Sequence, residues 1–218
     1  MPLFFSFSNQ QINRWNEISF LAYQRTFWFC HYNSIFHRFS QVSYVALFHS
    51  LIFAKNTGNM KIKIGHGYDV HQLAAGYALS LGGVVIPHEV GSVGHSDADV
   101  LLHALCDALL GALALGDIGH HFKNTDPQWK GIDSKILLQR VIEMVHEKGY
   151  VVGNIDATLI LEAPKIGPYL LDMRTAIASI LQIALDCVSI KATTSETMGF
   201  VGRKEGVEAH AVCILLGK

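Results

Sequence analysis

The chain has 218 residues, of which 50% are hydrophobic and 16% charged, with a formal net charge of -1. That length supports one full core with room for an appendage, and near-neutrality excludes a broad basic surface for nucleic acid or an anionic membrane. Four scattered cysteines, Cys30, Cys106, Cys187 and Cys213, form no CxxC pair, which excludes a thiolate zinc site and a disulfide framework.

Residues 1–59 form one compositional regime. They hold Phe4, Phe5, Phe7, Phe20, Phe27, Phe29, Phe36, Phe39, Phe48 and Phe53, and their basic residues Arg14, Arg25, Arg38 and Lys55 face a single acid, Glu17. The most apolar stretch, SYVALFHSLIFA (43–54), is broken by His49 and Ser50 and falls short of the roughly 20 apolar residues of a membrane span. The segment has the composition of a transit peptide without its amphipathic repeat. A second regime opens at Met60. The expected organisation is an aromatic-rich extension of unassigned role over 1–59 and the functional domain over 60–218. The expected location is the cytoplasm, or a plastid stroma if the extension is a transit peptide.

From Met60, KIKIGHGYDVH (61–71) alternates and reads as a strand ending in a glycine-containing bend. ALSLGGVVIP (78–87) gives two short strands around Gly82 and Gly83. HSDADVLLHALCDALLGALAL (95–115) predicts a helix with Ser96 as N-cap and Asp99 closing a capping box. A polar loop leads to a second helix capped by Asp133, with Ile136, Leu137, Val141, Met144 and Val145 at helical spacing up to Gly149. NIDATLILE is a strand, 168–182 a third helix, and CVSIKATT and EAHAVCILL two further strands. Interleaved strands and helices predict an α+β fold, a single layered domain whose mixed sheet is covered by helices on one face. Cys106 and Cys213 fall in apolar runs and read as buried hydrophobes.

Within this frame one constellation carries chemistry. Residues two apart on a strand share a face, so Asp69 and His71 project together. On the helix, Asp99, His103 and Asp107 are spaced i, i+4, i+8 and form a polar stripe among leucines. His103 between two acids suits a metal ligand held by outer carboxylates, and Asp69, His71 and His103 then make a three-ligand site with a fourth position open. His66, five residues from His71, points to the other side of the strand. His88, His120, His121, His146 and His210 read as structural or solvated. His95 and the Ser96 hydroxyl at a helix N-terminus suit an anion. KATTSE offers Thr193, Thr194 and Ser195 as phosphate donors and Glu196 as a hard oxygen ligand for Mg²⁺, while Lys191 divides evenly between a strand lysine and a phosphate contact. Arg203 follows in a glycine-rich turn.

Together IGHGYDVH, GGVVIPHEVG, HSDADVLLHALCDALLGALALGDIG, TDPQWKG, EAPKIGP and KATTSETMGFVGRKEG resemble the 2-C-methyl-D-erythritol 2,4-cyclodiphosphate synthase family over 60–218. The resemblance implies a homotrimer with active sites between subunits. It makes Asp69, His71 and His103 the ligands of Zn²⁺ or another divalent transition metal, and Glu196 the ligand of Mg²⁺ or Mn²⁺ carried with the substrate diphosphate. His95 and Ser96 contact the methylerythritol phosphate, with Asp117, Ile118 and Gly119 near the sugars. Phe122, Lys123, Asn124, Thr125 and Asp126 belong to a flexible substrate loop, in which HHFKNTD departs from the usual Phe-Pro-Asp-Thr-Asp run. Cytidine recognition falls to Leu161, Glu162, Ala163, Pro164, Lys165, Ile166 and Gly167. Diphosphate contact falls to Thr193, Thr194, Ser195 and Glu196, and Phe200 and Arg203 match ligand-contacting positions. His95 and Thr194 are the expected catalytic contacts.

The implied reaction cyclises 4-diphosphocytidyl-2-C-methyl-D-erythritol 2-phosphate with release of CMP, in the non-mevalonate isoprenoid pathway. The implied partners are that small-molecule substrate and further copies of the chain, with no nucleic acid and no membrane. Two other readings use the same residues. One is a zinc-dependent phosphatase or nuclease, and the other a trimeric binding module for isoprenoid diphosphates.

Overall fold

The strand that opens the domain is longer than expected. β1 runs Ile62–Ala75, straight through the glycines predicted to bend it. Those glycines serve packing instead: a Cβ at Gly65 would stand 1.8 Å from the Ala108 carbonyl oxygen, and one at Gly67 1.9 Å from that of Ala104. A helix therefore lies with its backbone almost on the strand, an approach that only glycine permits. The computed structural model describes residues 61–218, so the expectations for residues 1–59 lie outside the described residues.

β1 pairs antiparallel with β4 (Val90–Ser92) on one side and β7 (Gly206–Gly217) on the other. β7 in turn pairs antiparallel with β5 (Tyr150–Ile160), and β5 pairs parallel with β6 (Val188–Thr193). The result is a mixed five-stranded sheet in the order β4-β1-β7-β5-β6, beside a hairpin of β2 (Leu79–Leu81) and β3 (Val84–Ile86). β4 had no sequence signal: its three residues, one of them glycine, are too few to show alternation.

Three helices cover one sheet face: α1 (Val100–Ala112), α3 (Ser134–Glu147) and α4 (Leu170–Leu181). Two one-turn helices, α2 (Ile118–His121) and α5 (Gly199–Gly202), sit in the connections. Strand alternation sets the layers. Inward residues such as Val207, Ala209, Ala211, Cys213 and Leu215 are buried under α1, while Ile64, Tyr68, Val70 and Val212 remain exposed on the outer face. Cys106 and Cys213 are buried as expected. Among the described residues, no helix is long and apolar enough to cross a membrane.

The start of α1 corrects the sequence reading. Its N-cap is Asp99, not Ser96, and the helix begins at Val100. The reason is tertiary. The Asp99 carboxylate is fully buried and accepts from the backbone N–H groups of Leu101 (3.1 Å) and Leu102 (3.0 Å), and also from those of Gly82 (2.9 Å) and Gly83 (2.6 Å) in the β2–β3 hairpin. Four donors meet one carboxylate, which a serine hydroxyl has too few acceptor sites to satisfy. Complete burial pushes the Asp99 carboxyl up, against the N–H groups of Gly83, Leu102 and Gly82 that favour its charge.

Candidate metal centre and substrate cleft

Alternation in β1 aims Gly65, Gly67, Asp69 and His71 at α1 as one inward row. The two glycines bring the helix down, and the next two positions meet its side chains. Asp69 Oδ2 lies 3.0 Å from His71 Nε2 and 3.0 Å from His103 Nδ1, and the two imidazole nitrogens are themselves 3.0 Å apart. Donors about 2.0–2.1 Å from a tetrahedral ion stand roughly 3.3 Å from one another. The triangle fits one divalent ion within a few tenths of an ångström, and it is a three-residue group able to hold one. The mix of one carboxylate oxygen and two imidazole nitrogens suits zinc and its neighbours.

Each imidazole is fixed from behind. His71 Nδ1 lies 3.1 Å from the Val93 carbonyl oxygen. A carbonyl only accepts, so Nδ1 carries the proton and Nε2 is left with its lone pair toward the triangle. Nε2 of His103 faces the hydroxyls of Ser134 (2.9 Å) and Ser96 (3.1 Å). Partial burial opposes charge on Asp69, but the adjacent His103 and His71 imidazoles outweigh it and hold the carboxyl well below the usual range. Burial likewise opposes charge on His103, and the bond to Asp69 outweighs it and raises the imidazole. An ionised oxygen and two locked rings are what a metal meets.

The acids expected to flank His103 do other work. Asp99 caps α1, as described. The Asp107 carboxylate, raised by burial, accepts from Ile118 N at 2.7 Å and so fixes the start of α2. His95 and Ser96 lie in the loop ahead of α1 rather than on its first turn, where Asp99 already accepts from the N–H groups of Leu101 and Leu102, so what they offer an anion is their own side chains on the cleft wall.

A cleft of about 190 Å³ opens on the triangle, walled by His71, His103, His95, Ser96, Ile118, Gly119, Phe122 and Asn124, with Trp129 and Leu137 behind. In the sequence Leu137 reads only as a core position of α3 and Trp129 only as part of TDPQWKG; that both back the cleft depends on how α3 and the 3-10 turn before it (Pro127–Trp129) pack. Phe122 is largely buried and packs edge-on against Trp129, so it is a wall of the core rather than a free loop residue. Asp117 and Asp126 lie off the cleft wall, their carboxylates accepting from His120 N (2.8 Å) and Gln128 N (3.1 Å). Lys123 and Thr125 are exposed. His66 points to the outer face, where its ring meets that of His210, as its odd spacing from His71 requires.

The remaining expected contacts gather elsewhere. Leu161 N donates to the Thr193 carbonyl (3.1 Å), and the Glu162 carboxylate accepts from Ser195 N (3.0 Å), the Ser195 hydroxyl (3.0 Å) and Thr197 N (3.2 Å). Although partial desolvation works against it, those donors lower the Glu162 carboxyl. The 161–167 loop and the 193–197 turn thus form one surface, on which the Thr194 hydroxyl donates to Glu196 Oε1 at 3.0 Å. Arg203 makes a two-pronged pair with Glu205, 2.9 Å on each arm, beside Phe200. Lys191 pairs with Asp156 on the outer sheet face, which decides for the strand lysine.

This surface and the triangle are separated within one chain. Val70 pairs with Glu208, Glu208 with Ile160 and Ile160 with Thr193, a straight row across the sheet. Three inter-strand spacings make roughly 14 Å. The inward Asp69 and His71 flank one end of that row, and the 193–197 turn the other.

A mixed α+β layer with a carboxylate and two imidazoles at the mouth of a cleft defines a class of protein able to hold a divalent ion beside a helix-covered sheet. The chain belongs to the YgbB family, whose model matches residues 62–216. It is 60% identical over 154 residues to the 2-C-methyl-D-erythritol 2,4-cyclodiphosphate synthase of Thioalkalivibrio sulfidiphilus, covering 71% of this chain and 96% of that protein. It is 58% identical to the protein of the same name from Azotobacter vinelandii, covering 71% of this chain and 99% of the relative. Among solved structures, a 2C-methyl-D-erythritol-2,4-cyclodiphosphate synthase in a CDP-bound form superposes with a TM-score of 0.66 at 37% identity, over 70% of this chain and 99% of that one. A Plasmodium falciparum IspF–CDP complex gives 0.64 at 34% identity, over 72% and 97% of the two chains.

Proposed function

We propose that the protein converts 4-diphosphocytidyl-2-C-methyl-D-erythritol 2-phosphate into 2-C-methyl-D-erythritol 2,4-cyclodiphosphate and CMP. The observation that carries this reading is the 3.0 Å triangle of Asp69, His71 and His103 at the mouth of the cleft, in a chain so similar to proteins of that name. An oxygen of the 2-phosphate attacks the β-phosphorus, the bond from that phosphorus to the bridging oxygen breaks, and CMP leaves with the bridging oxygen. The nucleophile is already anionic at neutral pH, so the protein needs no strong base, and catalysis is positioning plus charge neutralisation.

In this reading Asp69, His71 and His103 hold Zn²⁺ or a similar ion, and Glu196 holds Mg²⁺ or Mn²⁺ with the diphosphate. Bound divalent ions supply Lewis-acid charge and a template for the in-line phosphates. His95 and Ser96 orient the methylerythritol phosphate, and Thr194 and His95 meet the oxygens that gain charge. Ile118 and Gly119 face the sugar from the cleft wall with Asp117 at the start of the same turn, and Phe122, Lys123, Asn124, Thr125 and Asp126 make up the segment at its entrance. Leu161, Glu162, Ala163, Pro164, Lys165, Ile166 and Gly167 receive the cytidine, Thr193 and Ser195 the diphosphate, and Phe200 and Arg203 complete the ligand contacts. The catalytic domain of this reading is 60–218, and the enzyme is cytoplasmic.

The roughly 14 Å between the metal-holding row and the 193–197 turn is too far for one diphosphate to bridge. We therefore place the active site between neighbouring copies of a homotrimer. The open outer face of the sheet, where Ile62, Ile64, Tyr68, Val70 and Val212 are each at least 40% exposed, supports self-association.

The primary test measures products. Purified enzyme releases CMP in step with the cyclic diphosphate, EDTA stops it and Zn²⁺ with Mg²⁺ restores it. Release of inorganic phosphate, or turnover indifferent to EDTA, overturns the proposal. The assembly has its own test. His103→Ala and Glu196→Ala variants, each inactive alone, recover activity when co-expressed, because in a randomly mixed ring roughly a quarter of interfaces join two intact halves. No recovery in mixed assemblies sinks the shared site.

A further inference from the structure

Behind His103 the structure holds two residues that no sequence signal singled out. Ser134 is the first residue of α3 and is fully buried, although a serine at that position has no need to be. Its hydroxyl lies 2.9 Å from His103 Nε2 and donates to Asp97 Oδ1. Asp97 stands in the loop before α1, held by its own N–H to the Ile132 carbonyl at 2.9 Å. The three side chains therefore form a line from carboxylate to hydroxyl to imidazole, ending at the nitrogen opposite the one that faces Asp69.

We propose that Ser134 and Asp97 are positioning residues: they form a hydrogen-bonded relay that keeps the proton of His103 on Nε2 and so presents its Nδ1 lone pair to the metal. The inference rests on the metal-centre reading above. Asp97 offers only acceptor oxygens, so the serine hydrogen is committed to it. The serine oxygen then has lone pairs alone to offer His103, and Nε2 must be the donor. The opposite arrangement would leave two oxygens in close contact with no hydrogen between them. Ser96 also lies 3.1 Å from Nε2, but its oxygen accepts from Ala98 N at 3.1 Å and no carboxylate stands behind it. On the Nε2 side of the ring, among the described residues, Ser134 is the hydroxyl that bonds directly to a carboxylate. Because α1 supplies the ligand, α3 the hydroxyl and the loop before α1 the acid, the relay also ties the metal to the seating of α3 on α1. Outer partners of this kind are worth about 10–100-fold in metal affinity.

The test uses the full chain and Zn²⁺ alone, with affinity measured by competition against a chromogenic chelator. Ser134→Ala weakens Zn²⁺ binding by about 10–100-fold, Asp97→Asn by a comparable factor, and Ser96→Ala by far less. Asp97 acts only through the serine, so Asp97→Asn costs nothing further on the Ser134→Ala background, whereas independent structural damage would multiply. The visible absorption of the Co²⁺-loaded protein changes in Ser134→Ala and in Asp97→Asn, reporting a reoriented ligand. Unchanged Zn²⁺ affinity in either single variant, or multiplying losses in the double variant, overturns the relay. Failure of the unaltered protein to bind Zn²⁺ overturns the metal centre itself, which separates the two failures. Should Ser134→Ala not fold, Asp97→Asn decides alone, since Asp97 is partly exposed and its backbone bonds are untouched.

Discussion

Replacing His103 by alanine leaves the fold in place and removes both the tightly held metal and turnover. The side chain supplies one of three donors, and its loss leaves Asp69 and His71 as a pair too weak to retain zinc against a chelator. Losing several kcal/mol of charge stabilisation at the reacting phosphates corresponds to a fall in turnover of about 10³-fold or more. Stability changes less. The Ser134 hydroxyl loses a partner, at a cost of about 1–3 kcal/mol, and the leucines of α1 that carry the core keep their contacts. The checks are far-UV circular dichroism, zinc content by elemental analysis and CMP release. A variant that still released CMP at the parent rate would falsify the ligand assignment.

Gly65→Ala has the largest expected effect on stability. The new methyl group falls 1.8 Å from the Ala108 carbonyl oxygen and 2.9 Å from the Ala112 Cβ. The first of these contacts is to backbone, which no rotamer change relieves. α1 has to lift from β1 by more than an ångström, disturbing the centre of the core, where Leu101, Leu105 and Leu109 are completely buried. Overpacking against backbone at such a site costs about 3 kcal/mol or more, which for a domain of this size lowers the melting midpoint by roughly 6–12 °C. His103 moves away from Asp69 with the helix, so Zn²⁺ affinity falls together with stability. A melting midpoint within about 2 °C of the parent would show that the strand and helix are not in the close contact described.

These two expectations also mark what the amino-acid order reveals and what it hides. The three long helices, the β2–β3 hairpin and the strands from 154 onward are legible because each carries its own period or its own turn residues. Asp69 and His71 can be paired from strand alternation alone, and the polar stripe on α1 adds His103, although the two acids of that stripe turn out to cap α1 and to fix the start of α2. The function of Gly65 and Gly67 is not legible locally. Both a bend and a close helix approach call for glycine, and only the position of Ala104 and Ala108 decides between them. The N-cap of α1 is ambiguous for a similar reason. Ser96 and Asp99 are both competent caps, and the choice is made by the amides of Gly82 and Gly83, some 16 residues away. Ser134 is hidden most deeply. In the sequence it is an ordinary helix-starting serine, and its contact with His103 exists only once α3 has packed on α1.

Asp99 has a consequence for how the cleft moves. One carboxylate clasps amides from the hairpin and from the helix, so neither segment can swing out without tearing the other's attachment. The short stretch carrying His95, Ser96 and Asp97 is slung between that clasp and the ladder joining β4 to β1, moored at both ends. Whatever yielding the entry of a ligand demands therefore comes from the opposite bank, where Lys123, Asn124 and Thr125 stand clear of the core.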